Sequence, residues 1–482
     1  MRTSWCASRL AALLIIVFLE IGCGDVFRPV AVPQPTPPPD PGSLHFVLVI
    51  SDNGQANRGA ATRIDVSGDS NVGAQTVGVA PLHAALLPNG GRVYVANNAE
   101  DTISSYALGT VLSPATTSLP GGSSPVFVVA DNSTVYVANA DANTVAVIPV
   151  TSNVVTNLVP VGASPIALAE TPNATKVYAV NNGDGTVTSI SGVNKAFIAT
   201  ILTGASPVWA AARSDSSRVY VLNAGSGTVS VIDTNADAVL CGGVSQPVCP
   251  SVGVGANFMQ YDRARNRIYV TNPPANTVSV LDVSADPSLS PPNTLLLSTN
   301  CVVPGFIPPN CPATFTPVSV TVLPDGSRAY VASFQLSPSP CLTGQACTIT
   351  SQVSVLDALS NTISTMIPLG TATVDMVNDT SCNPATSARP ARFRVSVGAS
   401  GDGSRVYAAV CDSGNTEIIR TSDNSIVTSA DGLTVLGIPM PFSAFNPPSP
   451  VGGLCPNQAQ QPPAGQPCNP PLQNPVLMLP GP

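Results

Sequence analysis

The side chains able to do chemistry are few in this sequence. Two histidines, His45 and His83, supply its imidazoles. Ser-His-Asp catalysis needs a histidine poised beside its nucleophile. His45 falls in a run that reads as a strand, which leaves His83 as the candidate base. Four glutamates, Glu20, Glu100, Glu170 and Glu417, are so far apart that no spacing groups them into a motif. A calcium site needs convergent carboxylate and amide oxygens, so here they would have to come from distant parts of the chain. Twelve cysteines are the densest reactive group. No Cys-x-x-Cys occurs, and neither histidine lies near a cysteine pair. The Cys-x-x-Cys-His that attaches haem is missing too. Disulfides are therefore expected, with no metal ligands among the cysteines and no cofactor.

Setting aside Cys6 and Cys23 leaves ten cysteines, an even number, all beyond residue 240. The simplest pairing is local: Cys241–Cys249, Cys301–Cys311, Cys341–Cys347 and Cys455–Cys468, with Cys382–Cys411 left over. These cysteines mark where a regular spacing breaks. Tyrosines at Tyr94, Tyr136, Tyr178 and Tyr220 recur every 42 residues within Val-Tyr-Val-Ala-Asn or a close variant. The same mark returns at Tyr269, Tyr330 and Tyr407 after longer gaps, and those gaps hold seven of the ten cysteines, with Cys411, Cys455 and Cys468 beyond the last mark. An insertion too short to build its own core can be held by a staple, at about 2–4 kcal/mol each.

Each period contains four short strands, here lettered A to D. Residues 206–240 show the pattern. An apolar run follows Ser206-Pro207, then Val219-Tyr220-Val221-Leu222, then the alternating Thr228-Val229-Ser230-Val231-Ile232-Asp233, then Ala238-Val239-Leu240. Gly, Asn, Asp and Ser separate them. A four-stranded meander cannot cover both its faces alone, and a radial array of meanders can, which predicts an all-β propeller. The Tyr-Val-Ala/Thr-Asn mark, the Asn-Thr-Val-Ser-Val-Ile-Asp run and a Gly-x-x-Pro before strand A resemble the YVTN-type (YncE-like) β-propeller repeat, over roughly residues 44–430. The resemblance implies this fold. For function it implies only a range: extracytoplasmic proteins, with lactonases and dehydrogenase subunits among related propellers.

Seven full units can be counted, one per tyrosine. Phe46 to Ile50, Thr62 to Val66 and Ala74 to Val79 read as B, C and D of a further unit that lacks an A strand. Leu433 to Ile438 is the expected A strand, so that the termini close an eighth blade and leave no bare edge. Seven blades with a displaced terminal pair is the alternative. The expected organisation is a signal peptide over 1–22, a proline-rich tether over 23–43, the propeller over 44–438 and an irregular proline-rich tail over 439–482.

The first 22 residues read as an export signal: Arg2 and Arg9, then an apolar core from Leu10 to Leu19 that is short for a membrane span. Ile21-Gly22-Cys23 resembles a bacterial lipobox, with Glu20 departing from the pattern. Cys23 is then the lipid-bearing first residue of the mature chain, and ordinary signal cleavage is the alternative. Gly24, where a retention signal would have Asp, favours the outer membrane by the same resemblance. Taking Arg2, Arg9 and Glu20 from 19 basic and 27 acidic residues leaves 17 against 26. With no basic run interleaved with aromatics, nucleic acid is not an expected partner.

In a meander the D–A and B–C loops share one face of the ring. Three of the four stapled features expected within the ring fall on that face, over the last three repeats. It also holds the channel mouth, where each strand A begins. Two residues after each opening proline or its equivalent stand His83, Phe127, Ala167, Trp209, Phe258, Ser319 and Arg392. Aromatics, a histidine and an arginine at one opening suit a modest, anionic ligand, or they are core between blades. The repeated Asn97, Asn139, Asn181, Asn223 and Asn272 are expected to close their own turns. The reading that follows is a tethered, non-catalytic binding or scaffold propeller whose partner is an unknown protein or small molecule. The alternatives are a lactonase-like hydrolase with a channel-mouth metal, and a propeller subunit of a periplasmic redox enzyme.

Overall fold

Val, Ile and Tyr fit an extended, half-buried backbone, and Asn ends it in a turn. The tyrosine marks accordingly form six-residue strands, among them Arg92–Asn97, Thr134–Asn139, Lys176–Asn181 and Arg218–Asn223. A computed structural model describes residues 46–53, 57–108, 114–244, 246–284, 293–296, 315–337, 347–374, 382, 393–428, 437–440 and 474–480. All of them lie in one unit of the chain, His45–Pro482.

Eight antiparallel four-stranded sheets form the blades of a propeller, as the repeats predict. Blade 1 comprises residues 46–79 and one strand from the C-terminus. Blades 2 to 8 begin at residues 81, 125, 165, 207, 258, 316 and 395. In each, strand A is innermost and D outermost. Blade 5 shows the register: Ala211 lies opposite Tyr220, and Tyr220 opposite Val231.

The chain termini close the ring, but through a different strand from the one expected. The inner strand of blade 1 is Asn474–Pro480, antiparallel to Phe46–Asp52, with Leu48 opposite Leu479 and Val49 opposite Met478. Ile438 instead pairs with Thr416 at the outer side of blade 8, and residues 433–436 lie outside the described residues. The propeller therefore does not end at residue 438, and the tail is not wholly irregular. Physically, the closing strand needs little length. Pro475 and Pro480 stand at its ends, where a missing N–H is tolerated, while Val476, Leu477 and Met478 are buried between them.

The seven marker tyrosines are the largest uncharged side chains to be fully buried, and each ring lies within a blade-to-blade core. Five of their hydroxyls bolt neighbouring blades together. Tyr94 donates to Asn153 Oδ1 at 2.9 Å, Tyr178 to Asp237 Oδ1 at 2.7 Å, Tyr330 to Asn424 Oδ1 at 2.7 Å and Tyr407 to Asp69 Oδ1 at 2.8 Å. Tyr136 accepts from Lys195 Nζ at 2.6 Å. Every partner is in the C–D turn of the next blade, at a residue with φ between 45° and 55°. Asn and Asp tolerate that left-handed conformation best. The basic residue two before the tyrosine often joins in. Lys176 reaches Asp237, Arg267 reaches Asn361, Arg328 reaches Asn424, and Arg405 reaches Asp69. The last of these crosses the closure from blade 8 to blade 1.

The Cys241–Cys249 disulfide forms as expected. It staples a bulge within the outer strand of blade 5. Ala238 and Val239 pair with Asp233 and Ile232, and pairing resumes where Ser251 meets Thr228. The longer gap from Tyr220 to Tyr269 is thus a loop pushed out of a strand that then continues.

Candidate functional site

The D–A and B–C loops meet on one face. The Asn98 N–H donates to Ala80 O, Ala140 to Ser124, Asn182 to Ser164 and Ala224 to Ser206. Just inside this face, equivalent positions of the inner strands line the axis. The register gives His83, Phe127, Ala167, Trp209, Phe258 and Ser319, each opposite the residue two after its marker tyrosine. Blade 8 presents Ser396 there, opposite Ala409, while Arg392 lies outside the described residues.

The aromatic members come together across the axis. His83 stacks on Phe127 with centroids 3.7 Å apart. Phe127 meets Trp209 edge-on at 5.2 Å, past blade 4, whose Ala167 leaves the space. Trp209 meets Phe258 at 4.6 Å. Phe393, ahead of the inner strand of blade 8, touches Phe258 at 5.2 Å and Trp209 at 6.4 Å. Blades 5 and 8 are three apart, so this contact spans the channel. Sequence reasoning missed Phe393, because counting two residues on from Pro390 lands on Arg392, one place before it, whereas the register puts Ser396 at the equivalent position.

The polar members serve the ring itself. An inner strand has an edge with no strand partner, and its buried N–H groups need acceptors. His83 Nδ1 accepts from the Val128 N–H of the next blade at 3.3 Å. Ser319 Oγ accepts from Val397 N at 3.2 Å and donates to Val395 O at 3.1 Å. Ser396 Oγ accepts from Met478 N at 3.0 Å. Burial pushes the His83 imidazole down to about 3, against the opposing effect of its bond to Val128. His83 is therefore a neutral, stacked acceptor at physiological pH.

The repeated asparagines close their own hairpins, through side chains more than backbone. Asn97 Nδ2 donates to Thr102 and Ser104, Asn181 to Thr186 and Thr188, Asn223 to Thr228 and Ser230, and Asn139 to Thr144. Asn272 bonds Val252 O and the Ala275 N–H instead.

The stapled loops hold a deeply buried ion pair, which sequence reasoning did not find. Arg394 and Asp412 form an ion pair at 3.2 Å, with their side chains 1% and 3% exposed. Arg394 Nε also donates to Cys382 O at 3.0 Å, and its guanidinium lies 5.7 Å from the Phe334 ring centroid. Cys382 is bonded to Cys411, as expected. Cys347 is disulfide-bonded as well, while Cys23, Cys301, Cys311, Cys341, Cys455 and Cys468 lie outside the described residues. The one sequence signal was that Asp412 directly follows Cys411.

Three glutamates are described, in blades 2, 4 and 8. Glu100 lies 3.7 Å from Arg58. Glu170, pushed up to about 8 by burial and by the Asp131 carboxylate, shares a hydrogen bond with Asp131. Partial burial works against ionised Asp131, but hydrogen bonds from Ser133, Thr134 and Glu170 hold it below the usual range. Glu417 is raised by burial. Among the described residues no three His, Cys, Asp or Glu side chains are grouped to hold a metal ion.

Fold and axis together define an eight-bladed β-propeller with an aromatic-filled inner ring. Among solved structures, the chain is similar to "Dihydro-heme d1 dehydrogenase NirN in complex with DHE", at 12% identity and a TM-score of 0.58, over 82% of this chain and 75% of that one. It is also similar to Kuenenia stuttgartiensis hydrazine synthase, at 18% identity and a TM-score of 0.45, over 66% of this chain and 80% of that one. A functionally unknown protein from Desulfotomaculum acetoxidans matches at 14% identity and a TM-score of 0.44, over 82% of this chain and 99% of that one. No protein-family model and no curated protein sequence matches the chain. At these identities the first likeness concerns the fold alone.

Proposed function

We propose that this protein is an exported, membrane-tethered propeller of the YVTN repeat type that acts as a non-catalytic binding or scaffold protein. The observation that carries the reading is the use made of the inner ring. His83, Ser319 and Ser396 spend their polar atoms on backbone groups of neighbouring blades, and the aromatics stack on one another. The surface left for recognition is the D–A and B–C loop face of blades 7 and 8, fastened by Cys382–Cys411 and the Arg394–Asp412 pair. Rigidly mounted loops are where binding concentrates. A photo-crosslinker at Ser413, on this face, should capture one discrete partner in cells. The same group at Asp423, in a C–D turn on the other face, should not. Equal capture from both positions would count against the reading.

The tether reading rests on Cys23 and the prolines that follow. A diacylglyceryl group with an added acyl chain buries many methylenes, at about 0.8 kcal/mol each. Cys23→Ser should therefore move the protein from the membrane fraction to the soluble one. A wild-type chain already soluble, with an unmodified N-terminus, refutes the anchor and leaves the fold untouched.

A second reading, a propeller subunit of a periplasmic redox enzyme, is favoured by the likeness to NirN, a dihydro-haem d1 dehydrogenase. In that case the protein purified from its own cells brings down a second chain with haem absorbance.

A further inference from the structure

Nine of the eleven large apolar side chains exposed among the described residues fall between residues 154 and 254, in blades 3 to 5 and the loops that follow their strands. At their centre is the outer strand of blade 4, Phe197–Leu202. Its inner side pairs with Thr186–Ser191, and its other side is the edge of the sheet. Phe197, Ile198 and Leu202 are 53%, 41% and 75% exposed, with Val154, Leu158 and Val193 also exposed in blades 3 and 4. An apolar patch of this kind marks an interaction site.

Most other outer strands carry a device against edge pairing. Asn157–Pro160 is short and ends in proline, Ala115–Ser118 is short and polar, and Ala238–Val239 has two residues before the stapled bulge. Ser70–Val79 is polar and bulged, and Thr362–Val374 is interrupted by Pro368. Phe-Ile-Ala-Thr-Ile-Leu has no proline, glycine or charge, and no charged residue occurs from Ala196 to Ala212.

The geometry points to a second copy of this chain as the occupant: two Phe197–Leu202 strands pairing antiparallel about a two-fold axis, independently of what the loop face binds. An open row of N–H and C=O groups is complementary to another strand. A two-fold sets the strand against itself, so any charge on it would meet its like. In a chain of net charge −8, this edge carries none. A charged partner would find nothing here to pair with, whereas an identical apolar strand matches it.

The test is sedimentation of the exported chain carrying Cys23→Ser, so that no lipid contributes. The expected result is a dimer. Ile198→Lys with Leu202→Lys, and separately Ile198→Glu with Leu202→Glu, should each give a monomer with unchanged melting, and mixing the two should restore a dimer. Leu359→Lys, at an exposed site on blade 7, should leave the dimer intact. If the charged variants melt early, Phe197→Ser replaces them and should weaken the dimer at least tenfold. A wild type that is monomeric up to its solubility limit, a dimer indifferent to these changes, or a mixture that stays monomeric overturns the proposal.

Discussion

His83 shows how a residue that looks reactive can be structural. Its ring is buried, stacked on Phe127 and held at about 3, so the folded state stays unprotonated where an unfolded histidine takes up a proton near 6.5. The unfolded chain therefore binds the extra proton between pH 6.5 and about 3, and stability falls as pH drops through that window. His83→Gln, which keeps an acceptor for the Val128 N–H, should flatten this acid limb in denaturant titrations across pH. Glu170 has the opposite sign. Its folded carboxyl holds a proton up to about 8, while the unfolded one ionises near 4.5. Its contribution is fully present below pH 4.5 and is lost as pH rises through 8. Glu170→Gln should make the protein more stable than wild type at pH 9 and little different at pH 4, by something on the order of 1–2 kcal/mol. The position of His83 in a channel ring was legible from its offset to a proline. Its task was not, because the N–H it serves belongs to a strand 45 residues away.

At the scale of strands and loops, the sequence announced its disulfides through spacing and hid its ion pair. Cys241–Cys249 could be read because both cysteines sit where the tyrosine period stretches, and Cys382–Cys411 because it was the pair left over from the local ones. Nothing in the spacing of Arg394 and Asp412 says that they meet. The loops that bring them together come from opposite ends of two blade strands, and only the fold sets that distance. Removing one member of a buried pair leaves a charge without its partner, at about 3–5 kcal/mol. Asp412→Asn should therefore lower stability by roughly that amount. Arg394→Met with Asp412→Leu, which removes both charges and keeps the volume, should recover most of it. Urea unfolding of the three proteins measures both steps, and equal loss in the single and double variants would contradict this account of the loop. The inter-blade bolts were half legible: the tyrosines stood out, while their Asn, Asp and Lys partners did not. Those partners are recognisable only as left-handed C–D turn residues one blade further on.

For the whole molecule the decisive joint is the one between the chain's two ends. Seven blades are continuous stretches of sequence, held by local hairpins. Blade 1 alone takes its inner strand from the C-terminus, across some 420 residues, and such distant pairing carries the largest loop-closure cost. Leu433 to Ile438 was the run expected in that role, while Val476 to Leu479 lies in the proline-rich tail that was expected to be irregular. The second prevails because prolines at both ends of an inner strand do no harm, while Val476, Leu477 and Met478 are buried in the cores on the two faces of blade 1. Two further contacts seal the same joint: Tyr407 and Arg405 on Asp69, and Ser396 Oγ on the Met478 N–H. These lie at opposite ends of the blade radius, so they should fail separately. Tyr407→Phe removes one hydrogen bond to a carboxylate and should lower stability by about 1.5–3 kcal/mol while leaving the ring closed. Truncation after Met440 removes the inner strand itself. It bares the edge of Phe46–Asp52, whose seven residues are all buried in the intact ring. The truncated chain should aggregate at concentrations where the full chain stays in solution, and its amide protons in residues 46–52 should exchange rapidly. Adding the peptide 474–480 in trans should slow that exchange. A truncated chain with unchanged melting and a protected first strand would show that the ring closes without its C-terminal strand.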